Sequence, residues 1–530
     1  MDDSYKPLAG LPKLSEVASR FESRDINTMP SAELQAEESE NVSNASKSVA
    51  IIGGGLAGMA AAAMLCEQGL QVDLFEQSNR LGGRAGSFEE SWNGQVIDQC
   101  QHVAMGCCGS FIDFCRRTGV EDCFQRYKTL HFIGPDGRQS DYEAVRWLPA
   151  PLHLLPGLLR LKYLTWRECW SIIFTLRKLI RLKIYKEIEI EIIRSWLRRQ
   201  RQSEAAIERF WSVVLTGALS ETVNFASLAA AKKVFIDGFC SSRRAYELII
   251  PRVPLGEIFD LRVPAWLEQQ GVRIRRNARV MEIACQGKHG LVVNLYDGTV
   301  QKYNAAIVAV PWFEAPNLFS SSPANIPLKL DALRQIPSAA ITAVHLWFDR
   351  PITTLPHAAL VGRLSQWVFN ETALQSEHAH GERGHGTQNG TQDEKYYYQV
   401  VISAAHRLVK QYKMELVQTV LSDLEAVFPD ARQAKLSHWR VVTMPQAVFS
   451  LQPGVDRLRP SQNTAIPNLF LAGDWTATGW PGTMEGAVRS GYLAAEGLLE
   501  LFGRTNGAID SQVINVAFNS RRLTADGGIS

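Results

Sequence analysis

The tightest constraint on this chain lies in residues 49–76. Residues 49–52 form a short apolar run of the kind a buried parallel strand needs. The run ends in Gly53-Gly54-Gly55, and an Ala-rich stretch, AGMAAAAMLCEQ, then reads as a helix with Gly69 as its C-terminal stop. A second strand, VDLFE, closes on Glu76. Strand, glycine turn, helix and strand in succession make a βαβ unit. Within it Gly53, Gly55 and Gly58 spell G-x-G-x-x-G at the strand-to-helix turn, the context that gives this otherwise weak pattern its meaning. Gly53 permits the tight turn, Gly55 lets a pyrophosphate approach the backbone, and Gly58 lets helix and sheet pack closely. The helix N-terminus at Ala57 offers free N–H groups and a positive dipole end to phosphates. Glu76 lies 18 residues past Gly58, where a carboxylate accepts hydrogen bonds from the ribose hydroxyls of a dinucleotide.

Composition narrows the class further. The chain has 530 residues, 46% of them hydrophobic and 21% charged, with a formal net charge of +2. These are globular values, and the balance argues against a nucleic-acid-binding protein. Nine Cys follow no zinc or CxxC spacing, which suits reduced, buried thiols. The N-terminus has no basic start followed by an apolar run, and no run of 18 apolar residues occurs, so a cytoplasmic protein is expected. Residues 1–47 read as a flexible N-terminal extension and 504–530 as a loose tail. Residues 376–394, with His378, His380 and His385, read as a flexible loop insertion in preference to a metal site. No metal is expected.

Directly after Glu76 come Arg80-Leu81-Gly82-Gly83-Arg84-Ala85-Gly86-Ser87. This run resembles the R-x-G-G-R-x-x-S/T segment of the flavin-containing amine oxidase and phytoene desaturase superfamily. Paired glycines bring backbone N–H groups to a phosphate, and Arg84 adds a cation beside it. The stretch ARVMEIACQGKHGLVVNLYDGTVQKYNAAIVAVP reads as three strands with an Asp297-Gly298 hairpin turn. It is similar to the superfamily's middle flavin segment, which puts Val280 at the adenine. In NLFLAGDWTATGWPGTMEGAVRSGYLAAEGLLE, residues 468–472 read as a buried strand and Thr483 as the cap of a helix starting near Met484. The resemblance places Gly473 and Asp474 at the ribityl chain or diphosphate. It aims the N-terminus of the helix at Met484 toward the flavin N1 and O2, where the dipole favours the reduced form by ~1 kcal/mol. FAD is therefore the expected cofactor. The fold expected is α/β, a Rossmann-like FAD-binding domain (48–105, 240–320 and 462–503) interleaved with an α+β substrate domain (106–239 and 321–461).

Within that superfamily the chain resembles hydroxysqualene dehydroxylases. The likeness rests on Gln101-His102-Val103-Ala104-Met105-Gly106 and on Thr476-Ala477-Thr478-Gly479 leading to Thr483-Met484-Glu485-Gly486. Cys100 stands where that family usually has Gly. The resemblance implies reductive removal of an allylic hydroxyl from hydroxysqualene to give squalene in hopanoid synthesis, with hydride from reduced flavin. His102 is the candidate proton donor, since imidazole titrates near neutral pH. Carotenoid desaturases share the apolar substrate class, and amine oxidases usually carry an aromatic residue where Thr483 stands. A lipid-escort protein of the same fold is the non-enzyme alternative. The expected partners are a C30 isoprenoid and an electron donor such as NAD(P)H or a reductase.

One segment breaks the charge balance. Residues 146–201 hold 13 Lys or Arg and 4 Glu, a local +9 that leaves −7 on the rest of the chain. They also carry Trp147, Trp166, Trp170 and Trp196. A basic, Trp-bearing amphipathic helix suits an anionic membrane surface, so peripheral contact with the inner face of the cytoplasmic membrane is expected. Residues 183–192 alternate strictly and fit helix or strand. Substrate physics points the same way: at about 0.8 kcal/mol per buried CH₂, a C30 isoprenoid favours an apolar phase over water by on the order of 20 kcal/mol.

Overall fold

A computed structural model describes residues 47–145, 147–183, 189–285, 290–319, 330–379 and 395–504. The expected N-terminal extension up to residue 46, the C-terminal tail from 505, and residues 184–188 of the alternating stretch lie outside the described residues.

The glycine turn sits at the heart of a five-stranded parallel sheet in the order Arg273–Arg275, Gln71–Phe75, Ser48–Ile52, Ala305–Val308, Leu469–Leu471. Ile52 pairs with Phe75 on one side and Val308 on the other. Nearly every residue of the inner strands is buried, as continuous apolar runs covered on both faces require. The helix Leu56–Cys66 is buried along almost its whole length and packs against the last helix, Met484–Leu501. Gly491 makes that approach possible, because a Cβ there would fall 2.2 Å from the Ala57 carbonyl oxygen.

The middle segment differs from the three-strand expectation. Val280–Cys285, Leu291–Leu295 and Val300–Tyr303 form an antiparallel meander, but Ala305–Val308 is a fourth strand that leaves it for the parallel sheet. Asn304 marks the switch by accepting the Ser48 N–H through its side chain, 2.8 Å away.

The second body is a seven-stranded sheet, ordered Leu436–Phe449, Ser338–Phe348, Tyr396–Ile402, Trp367–Asn370, His357–Leu360, Leu130–Ile133, Gln139–Tyr142. Strand alternation divides its two faces. Val400 and Ile402 pack toward the helix Lys413–Val427, whereas Val401 looks into a large cavity. Helical segments from Leu152 to Phe239 roof that cavity. The helix Glu371–Ala379, started by the Asn370 side chain accepting the Ala373 N–H, takes up residues 376–379 of the expected loop insertion, because the helix continues past its start; residues 380–394 lie outside the described residues. The helix Gly109–Arg117 falls in a stretch assigned to the substrate part. It shares the core of the parallel sheet through Phe111, Phe114 and Cys115, because its N-terminus is tied to the last helix.

None of the nine cysteines is paired; five are buried and four half-buried. No helix among the described residues is long and apolar enough to cross a membrane, and no described group of His, Cys, Asp and Glu could hold a metal ion.

Candidate active site

The cavity measures about 1050 Å³ and runs from the glycine turn, between the two sheets, to the helical roof. One end is built by the segments singled out in the sequence. Gly53, at φ +113°, takes a conformation that L side chains avoid, and a Cβ there would meet the Ala309 carbonyl at 2.7 Å. Gly58 lies directly against Gly53, while a Cβ on Gly55 would meet nothing within 4 Å. The turn is thus crowded from behind and open in front, the shape a diphosphate needs. Gly53, Gly55, Ala57 and Glu76 all line the cavity. Glu76 is held rigidly: one carboxylate oxygen accepts the Gly54 N–H at 2.9 Å, and the other accepts the Ser78 N–H and hydroxyl at 2.9 and 3.0 Å.

The arginine-glycine segment closes on the same space. Gly82 donates its N–H to the Gly54 carbonyl at 2.9 Å, which locks the segment beside the first turn. Arg84 donates to the Asp474 carboxylate at 2.5 Å and to the Ala447 carbonyl at 2.9 Å. Asp474 is buried, and Gly473 before it, at φ +139°, donates its N–H to the Ser490 hydroxyl at 2.7 Å. Val280 opens its meander strand on the cavity wall. Thr483 caps the last helix by accepting the Gly486 N–H at 3.1 Å, and Met484 begins that helix facing the cavity. Residues more than 400 positions apart in the chain therefore surround one cradle, and the open Gly55 face fits a flavin dinucleotide.

Two positions carry roles that no motif announced. Arg459 is buried and donates to the carbonyls of Asp474, Thr476 and Trp480, at 3.1, 2.7 and 2.8 Å from one guanidinium nitrogen, and to the Asp456 carboxylate at 2.8 Å from another. It gathers the whole 474–480 loop around one cation. An arginine in an irregular loop has no periodic or spacing signal, so only the structure reveals it. Ser490 is the second, one of many small residues on the last helix until its hydroxyl meets Gly473.

Glu485 caps the helix Gly109–Arg117, accepting the Phe111 N–H at 2.8 Å and the Ser110 N–H at 3.3 Å. Burial pushes its carboxyl above the usual range. Cys100 keeps φ out of the left-handed region, so no strain follows from its replacing a glycine. His102 lines the cavity with Nδ1 2.8 Å from the Cys100 carbonyl. A carbonyl only accepts, so Nδ1 carries the hydrogen and Nε2 is left as an acceptor. Burial, with the Arg84 charge as a smaller contributor, lowers the pKa of His102 and so favours the neutral ring.

Beyond the cradle the wall turns apolar. Phe132, Leu158, Ile173, Leu176, Val213 and Phe369 line the part under the helical roof. Such a wall offers contact mainly to apolar groups.

This architecture and cradle define a flavin-dependent oxidoreductase. Residues 56–499 match the family described as flavin containing amine oxidoreductase, and the chain belongs to that family. Its cofactor is FAD. A zeta-carotene desaturase of Synechocystis sp. is 24% identical over 497 residues, spanning 87% of this chain and 99% of its own. A hydroxysqualene dehydroxylase of Zymomonas mobilis is 26% identical over 453 residues, spanning 84% of this chain and 97% of its own. A putrescine oxidase structure with bound putrescine superposes with a TM-score of 0.62 at 16% identity, covering 87% of this chain and 99% of that one, a likeness of fold.

Proposed function

We propose that the protein removes the allylic hydroxyl of hydroxysqualene reductively, giving squalene. The observation that carries this reading is the continuous apolar channel that opens on the FAD cradle. The hydroxysqualene dehydroxylase relatives, at 26% and 25% identity, support it. When bound and reduced, FAD supplies hydride. The chain's own residues do the rest. Phe132, Phe369 and Leu176 hold the hydrocarbon and exclude water, so a cation formed by loss of the hydroxyl is not captured by solvent. Arg84 and Asp474 fix the wall beside the glycine turn. Thr483, where an aromatic residue would build one wall of an amine cage, leaves room for an alkyl chain.

A second reading, desaturation of a carotenoid precursor, is favoured by the zeta-carotene desaturase match over 87% of the chain and by the same channel. One anaerobic experiment separates the two. Photoreduced enzyme is given hydroxysqualene, oxidised enzyme is given squalene or phytoene, and products are identified by mass. Squalene in the first arm is expected; product in the second arm alone overturns the dehydroxylase reading.

We further place the protein on the inner face of the cytoplasmic membrane as a peripheral protein, re-reduced by NAD(P)H or a reductase. The helix Trp166–Arg181 supports the membrane placement. Its capping box at Thr165 and Glu168 fixes its start, and Cys169, Ile172, Thr175 and Leu179 turn inward. Trp166, Trp170 and Phe174, spaced four apart, form a solvent-facing aromatic stripe flanked by Arg167, Lys178 and Arg181. Ile173, Leu176 and Ile180 of the same helix line the channel, so one helix carries both the surface stripe and part of the channel wall.

A further inference from the structure

Dehydroxylation needs an acid at the channel, because hydroxide is a poor leaving group and water a good one. We propose that Lys233 is that acid, handing a proton to the departing hydroxyl; the proposal rests on the dehydroxylase reading above.

The argument begins with place. Lys233 ends the helix Leu228–Lys233 and lines the cavity. Its ammonium lies 5.6 Å from the centre of the Trp480 ring, and a Cβ on Gly479 would come within 3.8 Å of it. Gly479 and Trp480 end the loop that begins at Asp474 and runs into the Thr483 cap. Lys233 therefore reaches from the helical roof to the 474–480 loop, which borders the cradle end of the channel.

Elimination among the ionisable Arg, His, Asp and Glu side chains that line the cavity leads to the same residue. The guanidiniums of Arg84, Arg177, Arg209 and Arg279 do not give up protons in proteins. His102 donates Nδ1–H to a carbonyl, and burial disfavours its charged form. Glu76 and Asp474 are engaged by backbone amides and by Arg84, and Glu485 is spent on capping a helix. Glu314 accepts from the Asn317 side chain at 3.1 Å.

Lys233 also has the means to be recharged. Asp237, one turn on, accepts from its ammonium at 2.5 Å, and the Asp237 side chain is 41% exposed. An ammonium carries three donors, and Asp237 engages one. The reaction balances as follows. One Lys233 N–H bond breaks and its proton joins the substrate hydroxyl. The C–O bond then breaks, and water leaves with that electron pair. Reduced FAD, when bound, would supply the hydride that the allylic carbon needs and would end oxidised. Lys233 regains a proton from solvent beside Asp237.

The test uses FAD-loaded, photoreduced protein as wild type, Lys233→Ala, Lys233→Met and Lys233→Arg, each checked for flavin content and melting temperature. Squalene formation is expected to fall ~100-fold or more in all three variants, the size general-acid catalysis supplies. Methylammonium should restore part of the rate to Lys233→Ala alone. The ratio of hydroxysqualene to squalene bound from detergent micelles, an equilibrium reading, should drop in Lys233→Met. Wild-type rates in Lys233→Ala and Lys233→Met, or full activity in Lys233→Arg, overturn the assignment and leave the dehydroxylase reading standing. Lost rates without methylammonium rescue and with an unchanged binding ratio reduce Lys233 to a structural role. A wild type that makes no squalene removes the reading itself and this assignment with it.

Discussion

A methyl group added at Gly58 would sit 2.0 Å from the Gly53 carbonyl oxygen, whereas one added at Gly55 would enter open cavity. Gly55 has an extended backbone that any residue can adopt. The two positions should therefore fail differently. Gly58→Ala overpacks the turn and should cost about 1–3 kcal/mol of stability, seen as a lowered melting temperature of the flavin-free protein. Gly55→Val should leave that melting curve within a few degrees of wild type, yet weaken FAD by about tenfold or more, which is ~1.4 kcal/mol. Flavin titration beside thermal melts reads both; equal FAD affinity in Gly55→Val would show that the diphosphate does not pass over this turn. At this scale the sequence was informative wherever chemistry is local. Gly58, packed on Gly53 five positions back, and Thr483, capping the amide three positions on, act locally and carry spacing signals. Arg459 acts on residues 15 to 21 positions away, and Glu485 on a helix some 375 positions back, so no local pattern encodes either.

Two elements meet over a pair of buried acids. The hairpin Ser87–Glu89 and Val96–Asp98 ends at Asp98, whose carboxylate accepts the Ser87 hydroxyl at 2.6 Å and the Leu255 N–H at 2.8 Å. The helix Glu371–Ala379 begins with Glu371 beside it, and both line one small void with Gln101, Tyr397 and Gln399. Burial raises Asp98 from 3.8 to about 7, and burial plus the Asp98 charge raises Glu371 from 4.5 to about 8. The native state thus keeps protons that the unfolded chain releases. Where the unfolded state binds fewer protons, stability falls as pH rises, so this pair's contribution shrinks from about pH 4 to about pH 8 and is level beyond. Cys100 and Tyr397 face the same pair, but burial pushes both above this window, so neither titrates in it. Asp98→Asn with Glu371→Gln should match wild type near pH 4, melt higher than wild type at pH 9, and flatten the curve between. Parallel melting curves would mean that the pair stays ionised in the folded protein.

Across the whole molecule, what was legible follows from how each part is stabilised. The parallel sheet carries its own code, continuous apolar strands punctuated by glycine turns, and its first two strands fall within a residue of the sequence reading. An apolar run of four such as Ala305–Val308 says nothing about its partner; its parallel ladders with Ser48–Ile52 and Leu469–Leu471 place it in the parallel sheet. The basic segment was visible as a charge imbalance, but which side chains face water required the helix itself. Trp166 is 68% and Phe174 58% exposed, values that an ordinary core-facing aromatic does not show. Buried and exposed residues of this helix fall on separate stripes, and its cations flank the exposed one. The cations beside this stripe should draw that face of the molecule toward an anionic bilayer. Two contributions then separate by salt. At roughly 1 kcal/mol per basic residue near an anionic surface, Arg167→Gln, Lys178→Gln and Arg181→Gln together should weaken binding to phosphatidylserine vesicles about 100-fold at low salt, with the gap closing as ionic strength rises. Trp166→Ser, Trp170→Ser and Phe174→Ser should weaken binding at every salt concentration, because apolar insertion is not screened. Sedimentation with phosphatidylserine-containing and pure phosphatidylcholine vesicles over a salt series measures both, and binding of either triple variant indistinguishable from wild type would leave the stripe as bare, solvated protein surface.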